Sequence, residues 1–369
     1  MEDWPAISSF INDCYGDASP YKGHARWQWQ FVDTPYDPIG DTPVSVWIAL
    51  HGDRVAGQLA IQPGRMMLEG APEPAGWIVD VMIRPEYRGY GLGHRIHDAI
   101  VASGATVVTL TMALATRKIA ERAGAVTLGP VYQMVRPLRL SGRTLTTVLE
   151  RSVERRAGLT RFAGRCLLGS RVIPAAMASA ISVGGHLLRG PRPTHAHLNT
   201  GDAVAAPLEE IAALFEANRS KIPALFDRGR DFLDWRFNRV PDLDYRWVES
   251  RRGDGQLMAA AAWRLPEPIE LPIGTVVEVA ASPDDASAME AVIDAAVSRM
   301  APSTEGVIAG ASHPAHVAAL RRNGFRVVKT HYPTVVTRDA ALASRVESLG
   351  PWHFTKADHD WDQVHPAHE

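Results

Sequence analysis

Apolar residues recur at helical spacing from Trp4 to Tyr15, and three strand-like runs follow at 44–50, 55–62 and 77–83. Spacings of three and four lay one apolar stripe along a helix, whereas short β-branched and aromatic runs between turn residues mark strands. Gly52-Asp53 supplies the turn between the first two runs. Residues 92–102 again read as an amphipathic helix, 106–112 as a β-rich apolar run, and 117–123 as a short helix that Gly124 ends. The order helix, strand, strand, strand, helix, strand, helix, strand predicts the α+β class, here a mixed-sheet α/β sandwich.

The pattern then starts again. Trp29-Gln30-Phe31 with Pro35 returns as Trp235-Arg236-Phe237 with Pro241, and Val46-Trp47-Ile48-Ala49 with Gly52-Asp53 returns as Arg246-Trp247-Val248-Glu249 with Gly253-Asp254. Ile78-Val79-Asp80-Val81 ending at Pro85 returns as Val276-Val277-Glu278-Val279 ending at Pro283, and Glu121-Arg122-Ala123-Gly124 as Arg321-Arg322-Asn323-Gly324. Four matches in one order at an offset of about 200 residues predict two copies of one unit. Residues 207–218 repeat the opening helix, and 195–204 read as an extra first strand that has no counterpart before Trp4. The expected organisation is a first unit at 1–137, a connecting arm at 138–194, a second unit at 195–340 and a tail at 341–369.

Bulk properties agree with this division. The chain has 369 residues and ordinary apolar and charged fractions, so two packed cores are within reach. A net charge of -2 argues against general attraction to nucleic acid. Cys14 and Cys166 have no metal-type spacing and are too few for a disulfide framework, which suits a reducing cytoplasm. The first five residues do not form a signal peptide, and the apolar stretch 166–188 is broken by Arg171, Pro174 and Gly184-Gly185, so no membrane span is expected. Residues 136–192 hold eleven arginines against two glutamates, Glu150 and Glu154. This arm is expected to be helical with a basic face, serving either as a solvated connector or as a docking surface for a membrane or an acidic partner. The tail carries Trp352, Phe354 and Trp361, which predicts that it packs against the rest of the protein.

The chemistry concentrates at Ile83-Arg84-Pro85-Glu86-Tyr87-Arg88-Gly89-Tyr90-Gly91-Leu92-Gly93-His94. An apolar strand ends at Pro85, and glycines then alternate into a helix start. Glycine lets the backbone approach a ligand closely. The first turn of a helix offers unpaired amides and the positive end of a dipole, which suit a phosphate, and Arg88 adds a guanidinium. The spacing differs from a dinucleotide fingerprint, and no Gly-Lys-Ser/Thr triplet is present for a P-loop.

With Arg88, Gly91 and Gly93 in place after the Ile83-Arg84-Pro85 strand end, the chain resembles the GNAT superfamily of acyl-CoA-dependent N-acyltransferases. Their motif is Arg/Gln-x-x-Gly-x-Gly/Ala. The resemblance covers both repeats and implies a tandem arrangement. The Trp-x-Phe…Pro element and the Asp-x-Asp-Trp tail also resemble GNAT-type proteins of bacterial cell-surface polysaccharide loci. The resemblance implies acetyl-CoA or another acyl-CoA as co-substrate, without a metal, and a small-molecule or surface-polymer amine as acceptor. It implies that Val81, Met82 and Ile83 bind the pantetheine arm through their backbone, while Arg88, Gly89, Tyr90, Gly91, Leu92, Gly93 and His94 wrap the pyrophosphate.

The proton chemistry is less well marked. The tyrosine and glutamate that many GNAT enzymes use fall at Ala120 and near Val108, so neither is carried over. Asp80, mid-strand among valines, and Tyr132 are the expected catalytic residues, with Asp80 on the strand face opposite Val81 and Ile83. The counterpart of Asp80 is Glu278, which fits a structural role as well. His24, Trp27, Trp29 and Phe31 either line the acceptor pocket or pack the core, and Asp358, His359 and Asp360 are considered and set aside as metal ligands. After Pro283 the second copy reads Asp284-Asp285-Ala286-Ser287-Ala288 and lacks both glycines and arginine, so it is not expected to bind CoA. The competing reading is a non-catalytic acyl-CoA-binding or assembly protein.

Overall fold

The computed structural model describes residues 4–40, 42–110, 124–154, 176–181, 183 and 198–363. Helix α1 (Trp4–Tyr15) buries Ile7, Phe10, Ile11 and Tyr15, as its apolar spacing requires. A 3-10 segment, Gly16–Lys22, leads into helix α2 (His24–Phe31). Strands β1 (Val46–His51), β2 (Arg54–Leu68) and β3 (Ala71–Ile83) then form an antiparallel meander. Helix α3 (Leu92–Ala102) crosses to β4 (Val107–Thr109), which lies parallel to β3.

The second copy repeats this plan: β7 (Leu198–Asp202), a helix at Leu208–Ala217, β8 (Ala224–Phe226), β9 (Arg246–Arg252), β10 (Leu257–Arg264), β11 (Ile273–Ala281), a helix at Ala286–Met300, and β12 (Gly306–Ala311). The extra first strand expected at 195–204 is β7, hydrogen-bonded to β9. The architecture is the expected mixed α/β fold built on two mixed sheets.

The ends of the two copies do something that hydrophobic patterning cannot reveal. β6 (Val131–Pro137), from the first copy, inserts between β12 and β13 (Arg326–His331) of the second sheet. Reciprocally, β14 (Thr334–Val336), from the second copy, inserts between β4 and β5 (Val126–Thr127) of the first sheet. A strand's alternation selects the face it buries but not the sheet it joins. The two sheets therefore share strands across the boundary placed at residue 137.

Apolar clusters occupy the faces accordingly. Trp77, Val79 and Val108 pack under α1 and α2, Ile61, Ile78 and Val107 pack under α3, and a third cluster joins Trp29 to Trp235, Phe232 and Ile211 across the two copies. The tail packs as its aromatics predict. β15 (Trp352–His353) adds parallel to β8 at the edge of the first sheet, and residues from Phe354 to Asp360 are buried. Of the arginine-rich arm, the described residues show a helix at Gly142–Glu154 and helical residues at 176–181, and the remainder lies outside them. Among the described residues, no helix is long and apolar enough to cross a membrane.

Candidate functional site

The glycine turn adopts the conformation its sequence anticipates. Gly89 and Gly91 have φ of +87° and +75°, the left-handed region where a Cβ is strained. Gly91 is the residue before α3, and among the described residues no side chain caps the helix start. The first amides of α3 therefore project without intrahelical acceptors. A Cβ on Gly89, Gly91 or Gly93 would meet none of the described residues, which leave the volume above the turn unfilled. Arg88 is exposed and its Nε donates to the Ile83 carbonyl at 3.1 Å, while Tyr90 and His94 stand exposed beside it. Amides, dipole and guanidinium thus converge on one surface, an arrangement suited to a pyrophosphate.

The strand leading to the turn parts from its neighbour. Among the described residues β3 pairs with β4 only at Gly76 and Trp77, and it continues to Ile83. Beyond Trp77 its edge facing β4 is unpaired by that strand, and Val81 is 43% exposed. The ladder to β2 is regular up to Val79↔Ala60 and resumes at Met82↔Gln58, so Asp80 and Val81 together oppose Leu59. This is a β-bulge, and Asp80 takes φ +51° within it. The bulge breaks the simple alternation on which the sequence reading placed Asp80 opposite Val81 and Ile83.

Asp80 lies in a buried network. One carboxylate oxygen accepts from the Tyr15 hydroxyl and from Lys22 Nζ, the latter at 3.0 Å. Lys22 is 3% exposed and also reaches Asp360 at 3.5 Å. Burial alone would pull the Lys22 ammonium down, but Asp80 and Asp360 outweigh it and hold its pKa above the ordinary lysine value. Asp360 in turn lies against the imidazole of His359, whose Nε2 donates to the Ile78 carbonyl at 2.8 Å. Tyr15, Lys22 and the tail pair are thus functional candidates that the sequence reading missed. Lys22 carries no motif, and the Asp358-His359-Asp360 triplet was weighed only for metal.

That triplet does not converge. Asp358 pairs with Arg228 at 2.7 Å, His359 with Ile78 and Asp360 with Lys22. Tyr132 stands in the second sheet, between Ala311 and Thr330, whereas Asp80 is in the first. Val108 is buried in β4 opposite Trp77, and Ala120 and the helix expected at 117–123 lie outside the described residues. Trp27, Trp29 and Phe31 are core residues, and His24 packs edge-on against Trp4.

The second copy differs at the helix start and in the partners of its strand acid. Asp285 caps the helix at Ala286–Met300, accepting from the Ala288 amide at 2.9 Å and setting a carboxylate where the first copy offers bare amides. Glu278 is fully buried between Arg228 at 2.7 Å and His353 at 3.2 Å. Burial pushes its carboxyl up, but Arg228 and His353 overcome that and hold it far below the ordinary range. At the gap between β11 and β12, His316 donates through Nε2 to the Val279 carbonyl at 3.0 Å and lines a small cavity with Val276 and Ala309.

Comparison with known proteins agrees with this geometry. Residues 1–124, which end just past α3 and β4, match the family model described as an acetyltransferase (GNAT) domain. The fold is similar to that of a GCN5-related N-acetyltransferase from Anabaena variabilis, 13% identical, over 91% of this chain and 70% of that one, with a TM-score of 0.56. It is similar also to that of a conserved protein from Enterococcus faecalis, 11% identical over the same shares, with a TM-score of 0.53. No curated protein matches the chain. At these identities the structural likenesses speak for the fold, and the family assignment rests on the matched residues. Over its matched residues, the first copy of the repeat is similar to an acetyltransferase (GNAT) domain.

Proposed function

We propose that the chain transfers an acyl group, acetyl in the first instance, from acyl-CoA to an amine. The observation that carries this reading is the uncapped start of α3 behind two left-handed glycines, at the end of a strand whose edge has parted from β4. The pyrophosphate would lie on the amides from Gly89 to His94 beside Arg88, and the pantetheine arm along the free edge of Val81, Met82 and Ile83 as an added strand would. The amine nitrogen attacks the thioester carbon, the C–S bond breaks, and the proton lost by nitrogen balances the departing thiolate. A backbone amide on the free edge of β3 would stabilise the oxyanion. Asp80 is the group proposed to take the proton, with its carboxylate oriented by Tyr15 and Lys22. The acceptor would be a small-molecule or surface-polymer amine.

Isothermal calorimetry with acetyl-CoA tests the donor half of the proposal. The expected result is one site per chain, weakened at least tenfold (about 1.4 kcal/mol) by Arg88→Ala combined with Gly91→Ala. No binding by the intact protein overturns it. Thiol release from acetyl-CoA with a panel of amines tests the transfer, and binding without turnover on any amine would favour a non-catalytic acyl-CoA-binding protein.

A further inference from the structure

We infer that His359, brought in by the tail, closes the inner end of the gap between β3 and β4 and so limits the length of the acyl group. The inference rests on the acyl-CoA reading above. The Gly76 amide donates to Thr106 across the β3–β4 ladder at 3.1 Å. Polar groups on a strand point to alternate sides, so the carbonyl of Ile78 points to the same side as Gly76. The neighbouring strand agrees: Ile61, opposite Ile78, spends its amide on Ser45, away from β3. The Ile78 carbonyl therefore faces the gap just beyond the last β3–β4 pair, and His359 Nε2 donates to it at 2.8 Å.

The imidazole is held there from several directions. It is 7% exposed, lies edge-on to Trp77 with centroids 5.7 Å apart, and rests against Asp360, which shares Lys22 with Asp80. Among the described residues three non-glycines have positive φ. Glu69 sits in the hairpin turn before Gly70, while Asp80 and His359 belong to this one cluster. Such conformations persist where the surrounding structure over-determines them, and they gather at ligand sites.

An arm laid along β3 from the glycine turn passes from Ile83 to Ile78, roughly 17 Å at strand rise, before it meets His359. The second copy shows the contrast. There His316 takes the Val279 carbonyl, the counterpart of Val81, and blocks the gap roughly 10 Å nearer its mouth. A histidine thus stands in both gaps, and in the first copy it stands deeper along the strand. What remains for the acyl group beyond the thioester is short.

Calorimetry with acetyl-CoA, butyryl-CoA and octanoyl-CoA tests the inference on the whole chain. In an open pocket each added methylene would tighten binding, roughly fourfold when fully buried. With His359 in place, octanoyl-CoA is expected to bind at least tenfold more weakly than acetyl-CoA. In His359→Ala that ranking narrows or inverts. In His359→Gln, which keeps a donor for Ile78 and most of the bulk, it is retained. Octanoyl-CoA binding the intact protein as tightly as acetyl-CoA overturns the inference without any variant, as does an unchanged ranking in a folded His359→Ala protein. Absence of binding by every acyl-CoA would instead defeat the acyl-CoA reading itself.

Discussion

Trp29 and Trp235 stack with centroids 4.4 Å apart and planes within 10°, and each indole N–H donates to the other's backbone carbonyl, at 2.8 and 2.9 Å. These are the leading residues of the repeated Trp-x-Phe element, so the repeat meets itself. The reciprocal bonds, like the exchange of β6 and β14, place the two copies about an approximate two-fold axis. Each copy completes the other, and the domain that carries the glycine turn depends on its partner for β14 and the tail.

The pairing makes a double-mutant prediction. Trp29→Phe removes one donor and leaves the Trp235 carbonyl buried, a loss of about 1–3 kcal/mol in addition to imperfect packing. Trp235→Phe is expected to cost a similar amount. Because each indole serves the other, the double variant should cost less than the sum by about 0.5 kcal/mol or more. Urea unfolding of the four proteins measures this, and strict additivity would show that the two contacts act independently.

The glycine turn can be tested against the fold it belongs to. Gly93 lies in the first turn of α3 with a negative φ, and a Cβ there meets none of the described residues. Alanine suits a helix better than glycine by about 0.5–1 kcal/mol, so Gly93→Ala should raise the melting temperature. The same methyl group enters the volume assigned to the pyrophosphate, so acetyl-CoA affinity should fall by about tenfold, a 1.4 kcal/mol loss. A variant that is more stable and binds equally well would place the phosphates elsewhere.

The sequence carried what periodicity and local chemistry can carry. Element types and the left-handed glycines are readable because each depends on neighbours within about ten residues, and the repeat is readable because its short motifs return in one order. What it could not carry is set by distant partners. Nothing near Lys22 announces that it will be buried between Asp80 and Asp360, 58 and 338 residues away. The bulge at Asp80 is invisible because alternation of side chains was assumed to run unbroken from Trp77 to Ile83. Asp358, His359 and Asp360 are set aside as a metal site, yet their spacing cannot say that Asp358 reaches Arg228, His359 the Ile78 carbonyl and Asp360 Lys22.

The plugged gap of the second copy has a pH signature. Burial, and then the nearby His353 and His313, push His316 from an ordinary 6.5 down to about 3. Its folded value lies below its unfolded one, so between those values the unfolded chain binds a proton that the folded chain refuses. Stability is therefore expected to fall as pH drops from 6.5 toward 3, by up to roughly 1.4 kcal/mol per unit from this residue, and to be flat in this respect at higher pH. His316→Gln keeps a donor for the Val279 carbonyl and does not titrate. Its stability should decline less between pH 7 and 4.5 in urea titrations, and parallel curves for the two proteins would exclude His316 as a source of acid sensitivity.

Lys22 offers the sharpest test of the buried network. It is the cation between two carboxylates, with Asp80 at 3.0 Å and Asp360 at 3.5 Å, and all three side chains are almost wholly buried. Lys22→Met fits the apolar part of the space but leaves both carboxylates facing each other without a countercharge, an error that costs about 3–5 kcal/mol in buried pairs. Adding Asp360→Asn removes one of the two charges and keeps hydrogen-bonding capacity beside His359. The double variant should therefore be more stable than Lys22→Met alone, by about 1–2 kcal/mol, even though Asp360→Asn in the intact protein is destabilising. That reversal of sign is the mark of one coupled network. If Asp360→Asn destabilises both backgrounds equally, the ammonium belongs to Asp80 alone and Asp360 is no part of its network.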